Sequence, residues 1–228
     1  MQNHKRHIRS FMLRQGRVSE RQELGLQRYW LQYGLTTQSG RLDYAAIFKR
    51  QADIVLEIGF GMGHSLVACA KNNPNVDYIG VEVHRPGVGA LLAEMGEQGV
   101  NNIRVFQEDV KDVLMQSIPD NFLSGIQIFF PDPWPKRRHH KRRLIQAEFV
   151  DLLWHKLKTG AFVHMATDWE DYAHHMMQVF TQYSGFNNLV GSGNYLTEDH
   201  VLRLHTKFEL RGKRLGHGVW DMMFIKIT

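Results

Sequence analysis

Asp132 stands in the run Phe-Phe-Pro-Asp-Pro-Trp-Pro that begins at Phe129. Pro131, Pro133 and Pro135 each fix φ and bias the preceding residue away from the helical region. The spacing therefore predicts a stiff, extended loop that presents one carboxylate and the Trp134 ring. Residues 136–143 follow with six Lys or Arg and two His, a charge density that repels itself unless a polyanion answers it. Proline-rich loops often serve as spacers, and charge runs are usually solvated faces. Position argues otherwise here. Residues 125–130 form a β-branched and aromatic run that reads as a buried strand, so the loop starts at that strand's carboxyl end, where open α/β sheets bind ligands.

A second cluster surrounds Gly-Phe-Gly-Met-Gly at 59–63. Gly59, Gly61 and Gly63 follow the apolar strand 54–58, and glycines there let the backbone approach a ligand closely. A dinucleotide fingerprint wants glycine at the sixth position, where this chain has His64. Glu57, two residues before the first glycine, is also a poor neighbour for a phosphate. It suits a cationic ligand such as the amino group and sulfonium of S-adenosylmethionine. Glu82 ends the second strand, where a carboxylate can accept both ribose hydroxyls of an adenosine. Asp109 follows the third strand and is suited to the adenine or its neighbouring amide. Singly, each acid reads as a helix cap or a solvated charge. Three acids at three successive strand ends are less easily explained that way.

Pattern and composition supply the frame for these residues. A chain of 228 residues, 43% hydrophobic and 22% charged, fits one soluble α/β domain, expected over 19–228. Residues 1–18 read as a flexible basic arm, with His4, Lys5, Arg6, His7, Arg9, Arg14 and Arg17 and little apolar periodicity. A net charge of +5 favours an anionic partner. No apolar run reaches the roughly 20 residues of a membrane span, and no apolar signal core opens the chain, so a cytoplasmic protein without a membrane partner is expected. The lone Cys69 reads as core packing. The adjacent pairs His139-His140 and His174-His175 lack metal-ligand spacing, so no metal is expected. Strands are expected at 54–58, 78–83, 103–106, 125–130, 161–166, 186–190 and 219–227. Helices are expected from Ser19 to about Trp30, and over 44–50, 64–71, 86–98, 144–157 and 169–183. Such alternation predicts a mostly parallel, doubly wound sheet.

Taken together, Glu-Ile-Gly-Phe-Gly-Met-Gly at 57–63, Glu82, Asp109, Phe-Pro-Asp-Pro-Trp-Pro-Lys at 130–136, Thr-Asp at 167–168 and Thr-Lys-Phe-Glu-Leu-Arg-Gly at 206–212 resemble the bacterial tRNA (guanine-N7-)-methyltransferases. The resemblance spans nearly the whole chain. It implies a Rossmann-like class I methyltransferase fold, a mostly parallel seven-stranded sheet with its last strand antiparallel. It also implies methyl transfer from S-adenosylmethionine to N7 of guanosine 46 in the tRNA variable loop. Matching motifs imply that Glu57, Gly59, Gly61, Gly63, Glu82, Asp109 and Asp132 line the methyl donor, with Asp132 catalytic. Lys136, Asp168, Thr206, Lys207, Phe208 and Glu209 would contact the substrate. Arg137, Arg138, His139, His140, Lys141, Arg142 and Arg143 would lie on the RNA backbone.

The chemistry of the acceptor agrees with these roles. Guanine N7 carries a free lone pair, so no proton need leave that atom, and Asp132 is expected to orient and to stabilise charge rather than to act as a strong base. Glu209 can accept from the N1 and N2 protons of guanine, a pairing adenine does not offer. Trp134 or Phe208 would receive the face of a displaced base, and Asp168 also reads as a helix cap. Competing readings are methylation of an exocyclic amine, a non-enzymatic RNA-binding module, and a nicotinamide dehydrogenase that His64 and Glu57 disfavour. No obligatory protein partner is expected, and a monomer is favoured over a homodimer.

Overall fold

The computed structural model describes residues 10–12, 16–197 and 218–228. Its centre is a sheet whose inner strands are nearly continuous apolar runs: β2 (Asp53–Ile58), β3 (Val76–Val81), β4 (Ile103–Phe106), β5 (Leu123–Phe129) and β6 (Leu157–Thr167). Strands buried on both faces by crossover helices need this composition. A two-residue strand, β1 (Gly34–Leu35), adds to one edge. At the other edge are β7 (Phe186–Asn188) and β8 (Trp220–Lys226). The order is β1-β4-β3-β2-β5-β6-β8-β7, and β8 alone runs against the rest, pairing antiparallel with β6 and β7. Among the described residues this is the mostly parallel sheet of seven strands, the last antiparallel, that the family resemblance implies, with the short β1 as an eighth strand.

The helices fall into two layers. On one face α1 (Glu20–Tyr33), α3 (His64–Asn72) and α4 (Arg85–Gln98) cover the sheet through Leu26, Leu66, Val88, Leu91 and Met95. The other face is covered by α2 (Tyr44–Phe48), α5 (Val110–Gln116), α6 (Ala147–Lys156) and α7 (Glu170–Thr181), through Tyr44, Leu114, Phe149, Tyr172 and Phe180. Ser19 caps α1 in a reciprocal box with Gln22. The helix expected over 144–157 is shorter, because Leu144 and Ile145 precede it as buried loop residues. No helix among the described residues is long and apolar enough to cross a membrane.

Two features of this frame hold the functional loops. Residues 55–58 pair with β5 on one side while the whole of β2 pairs with β3 on the other, so the chain winds outward in opposite directions from β2 and β5. The crevice at that reversal is the place where open sheets bind ligands. Second, α1 crosses α4 at closest approach through Gly25, where an added Cβ would fall against the Gly89 carbonyl oxygen and Ala93. Neither backbone can yield without parting the helices. Gly25→Ala is accordingly expected to lower the unfolding free energy by about 1–3 kcal/mol. A matching fall in the urea midpoint checks this, and an unchanged midpoint would show that the crossing tolerates a wider spacing.

Candidate active site

A cleft of about 550 Å³ opens at the carboxyl ends of β2, β3, β4 and β5. Its walls include Gly59, Glu82, Glu108, Asp109, Phe129, Phe130, Asp132 and Trp134. Four carboxylates therefore face one space, an environment that favours a cation and repels a phosphate.

Gly59 of the glycine turn lines one side, while Gly61 and Gly63 stand behind it and do not line the cleft. Gly59, Gly61 and Gly63 have φ of 73°, 59° and 81°, values a side chain would resist. Gly63 begins α3, and a Cβ there would collide with Leu91 of α4. The turn is tied to β3 by Glu82. Its carboxylate accepts from the backbone N–H groups of Gly61 at 3.0 Å, Val83 at 2.7 Å and His84 at 2.9 Å. Asp109 caps α5 by accepting from Lys111 N–H at 3.0 Å, and Glu108 accepts from Thr37 N–H at 3.1 Å. His64, the residue that breaks the dinucleotide pattern, pairs with Glu94 of α4.

Glu57 is placed apart from these acids. It does not line the cleft. Its side chain shares a sheet face with Val55, is 4% exposed, and forms no hydrogen bond among the described residues. Burial pushes its carboxyl up to about 8, because the interior penalises the charged form.

The proline loop forms the opposite wall, and its backbone corrects the sequence expectation. Phe130 and Trp134, each before a proline, have φ of 52° and 47° and are left-handed rather than extended. The local bias is overridden by contacts from several sides. Phe130 N–H donates to Ala166 O at 2.8 Å. The Trp134 indole donates to Ser10 O at 3.0 Å, and the Arg142 guanidinium lies over its ring at 4.3 Å. His139 meets the ring edge. Trp134 is thus buried with one face already covered, so it braces the loop. Asp132 between them is exposed to the cleft.

The basic run folds as a 3-10 turn over Arg137–Arg142 that sorts its charges. Lys136, Arg137, Arg138 and Lys141 are exposed, while His139, His140 and Arg142 are half-buried. Arg143 is buried and bonded to Pro133 O and Asp171. Its guanidinium is thus turned inward, unlike the exposed side chains of the run. Asp168 is exposed and forms no hydrogen bond or ion pair among the described residues. The N-cap of α7 is Trp169, so the capping role expected for Asp168 is not what the fold uses. Thr206, Lys207, Phe208 and Glu209 lie outside the described residues.

Some of the site carried little signal in the sequence. Ser10, Phe11 and Met12 line the cleft, although they sit within the predicted basic arm. Their one cue is an apolar pair in a cationic stretch. Gly87 is another, since a Cβ there would strike the Gly61 carbonyl oxygen. It allows α4 to reach the glycine turn.

The fold and this cleft define a Rossmann-like class I methyltransferase. A family model described as a putative methyltransferase matches residues 51–222. The chain is 54% identical over 219 residues to the tRNA (guanine-N(7)-)-methyltransferase of Idiomarina loihiensis, covering 96% of this chain and 89% of that one. It is 53% identical over 224 residues to the enzyme of the same name from Hydrogenovibrio crunogenus, covering 98% and 93%. The chain belongs to the tRNA (guanine-N(7)-)-methyltransferase family. Among solved structures, the 16S rRNA methyltransferase KamB is similar in fold, with a TM-score of 0.59 and 15% identity over 80% of this chain and 92% of that one.

The buried carboxyl of Glu57 gives the fold a measurable pH dependence. Its folded value of about 8 lies above the ordinary 4.5, so its contribution to stability is complete below pH 4.5 and is lost as pH rises through 8. Thermal unfolding of the wild type, compared with Glu57→Gln, is expected to show a relative loss of stability from pH 5 to 8 and a plateau above. Parallel curves across that range would place the carboxyl in a solvated setting.

Proposed function

We propose that this chain transfers the methyl group of S-adenosylmethionine to N7 of guanosine at position 46 in the tRNA variable loop. The observation that carries this reading is the separation of charge around Asp132: four carboxylates line the cleft, and four exposed cations stand on the turn that follows the loop. The first arrangement suits a small cationic donor and the second a polyanion. Family membership at more than half identity supports the same chemistry.

S-adenosylmethionine supplies an electrophilic methyl group on a positively charged sulfur. Glu82, at the end of β3, would accept the ribose hydroxyls. Asp109 would serve the adenine end, and the backbone of Gly59 and Gly61 would border the amino-acid portion. Their types and placement fit such a ligand, because each offers acceptors or bare backbone and none offers a cation.

The work left to the protein is alignment. N7 has a lone pair in the plane of the base and gives up no proton, so a general base is not required. Asp132, fixed between Pro131 and Pro133, would hold the acceptor in line and stabilise the positive charge that the ring gains. Lys136 and the exposed carboxylate of Asp168 would meet the displaced nucleotide. Glu209 would select guanine through its N1 and N2 protons, with Thr206, Lys207 and Phe208 beside it. Arg137, Arg138 and Lys141 would bind phosphates without regard to base.

Methyl transfer to two transcripts of one tRNA tests the reading, one with guanosine and one with 7-deazaguanosine at position 46. Label in the first alone is expected. Equal label in both would move the acceptor to another atom or nucleotide and bring the exocyclic-amine chemistry forward. Asp132→Asn is expected to lower turnover on the order of 10²-fold, measured under saturating tRNA. Replacing Arg137 and Arg138 by Ala should weaken tRNA binding and reduce its salt slope by about 1 for each phosphate that is no longer neutralised.

A further inference from the structure

Arg143 closes the basic run in the sequence, yet its side chain is only 2% exposed. Its Nε donates to the carbonyl of Pro133 at 3.0 Å. Its Nη2 pairs with Asp171 and lies 3.2 Å from His140 Nε2. The guanidinium carbon sits 4.9 Å from the centre of the Tyr172 ring. Tyr172 is fully buried, and its hydroxyl accepts from Ile145 N–H at 3.2 Å. Asp171 and Tyr172 both belong to the start of α7. A continuous, packed path thus runs from the core through α7 and Arg143 to the carbonyl one residue beyond Asp132.

We propose that Arg143, braced by Asp171, is a positioning residue that fixes the Asp132 loop over the cleft and is not a ligand of RNA phosphate. A phosphate reaching this guanidinium would have to displace both the Pro133 carbonyl and the Asp171 carboxylate. The loop needs such an anchor, because it holds two left-handed pre-proline residues, Phe130 and Trp134, which revert to extended backbone unless the surroundings over-determine them. Arginine is required because its planar fork serves a carbonyl and a carboxylate at once, whereas a lysine ammonium is a single point charge. The ion pair also lowers the Asp171 carboxyl, first through the Arg143 hydrogen bond. Charge in the run is thereby divided by function: the outward side chains face solvent, and the last one grips the loop.

The inference rests on the tRNA-methylation reading, and the test separates the two. Turnover at saturating tRNA, tRNA affinity and the salt slope of binding are measured for wild type, Arg143→Lys, Asp171→Asn and Asp171→Glu. Arg143→Lys is expected to lose on the order of 10²-fold in turnover, as a displaced catalytic group does. Asp171→Asn should lose about tenfold, and Asp171→Glu should recover most of it. All three should keep the wild-type salt slope, since each leaves the protein's grip on phosphate intact. The Asp171 side chain is 62% exposed, so its variants fold even if Arg143→Lys does not. Wild-type turnover in Asp171→Asn, or a flattened salt slope in Arg143→Lys, overturns the proposal. A wild-type protein that methylates no tRNA removes the underlying reading as well.

Discussion

The strand order imposes the constraint on which the rest depends. Because β2 and β5 are neighbours while the chain winds away from them in opposite directions, no crossover helix among the described residues covers their carboxyl ends. Among the described residues, the acids of the cleft collect at that edge. The glycine turn leaves β2 there, Glu82 follows β3, Glu108 and Asp109 follow β4, and the proline loop leaves β5. A parallel sheet thus converts residues far apart in sequence into one wall of acids, with no further requirement than apolar strands of the right length.

Three of the four cleft acids serve the backbone as well as the cleft. Glu82 satisfies three N–H groups, and Asp109 and Glu108 one N–H site each. These bonds give the carboxylates fixed orientations before any ligand arrives, which is the form of preorganisation that makes electrostatic stabilisation effective. Glu57 stands apart from them, buried without a hydrogen bond among the described residues. The proline loop obeys a similar logic by different means. Its strained residues are held by Ala166, Ser10, Arg142 and Arg143, partners drawn from separate parts of the chain.

Those same particulars show how far the sequence could be read. The inner strands were legible because burial on both faces demands unbroken apolar runs, and Ser19 and Pro86 marked helix starts by known chemistry. The acids at strand ends were legible for the same reason, since their positions follow from the strands. The two-residue β1 was not, because two residues carry no periodicity, and the seven-residue α5 was not read from its pattern either. Trp134 as a brace and Arg143 as an anchor were also hidden. Composition shows that a run is basic, but which side chains turn inward depends on a 3-10 turn and on partners such as Asp171, 28 residues away. Local proline rules failed at Phe130 and Trp134 because tertiary contacts outweighed them.

The central claim is that the acid-lined cleft holds a cationic methyl donor and that Glu82 is part of its seat. Calorimetric titration with S-adenosylmethionine, set against the same titration with a nicotinamide dinucleotide, tests it most directly. The expected result is saturable binding of S-adenosylmethionine alone, weakened at least about tenfold in Glu82→Ala through loss of charge-assisted hydrogen bonds. Binding of the dinucleotide in preference, or undiminished affinity for S-adenosylmethionine in Glu82→Ala, would contradict it.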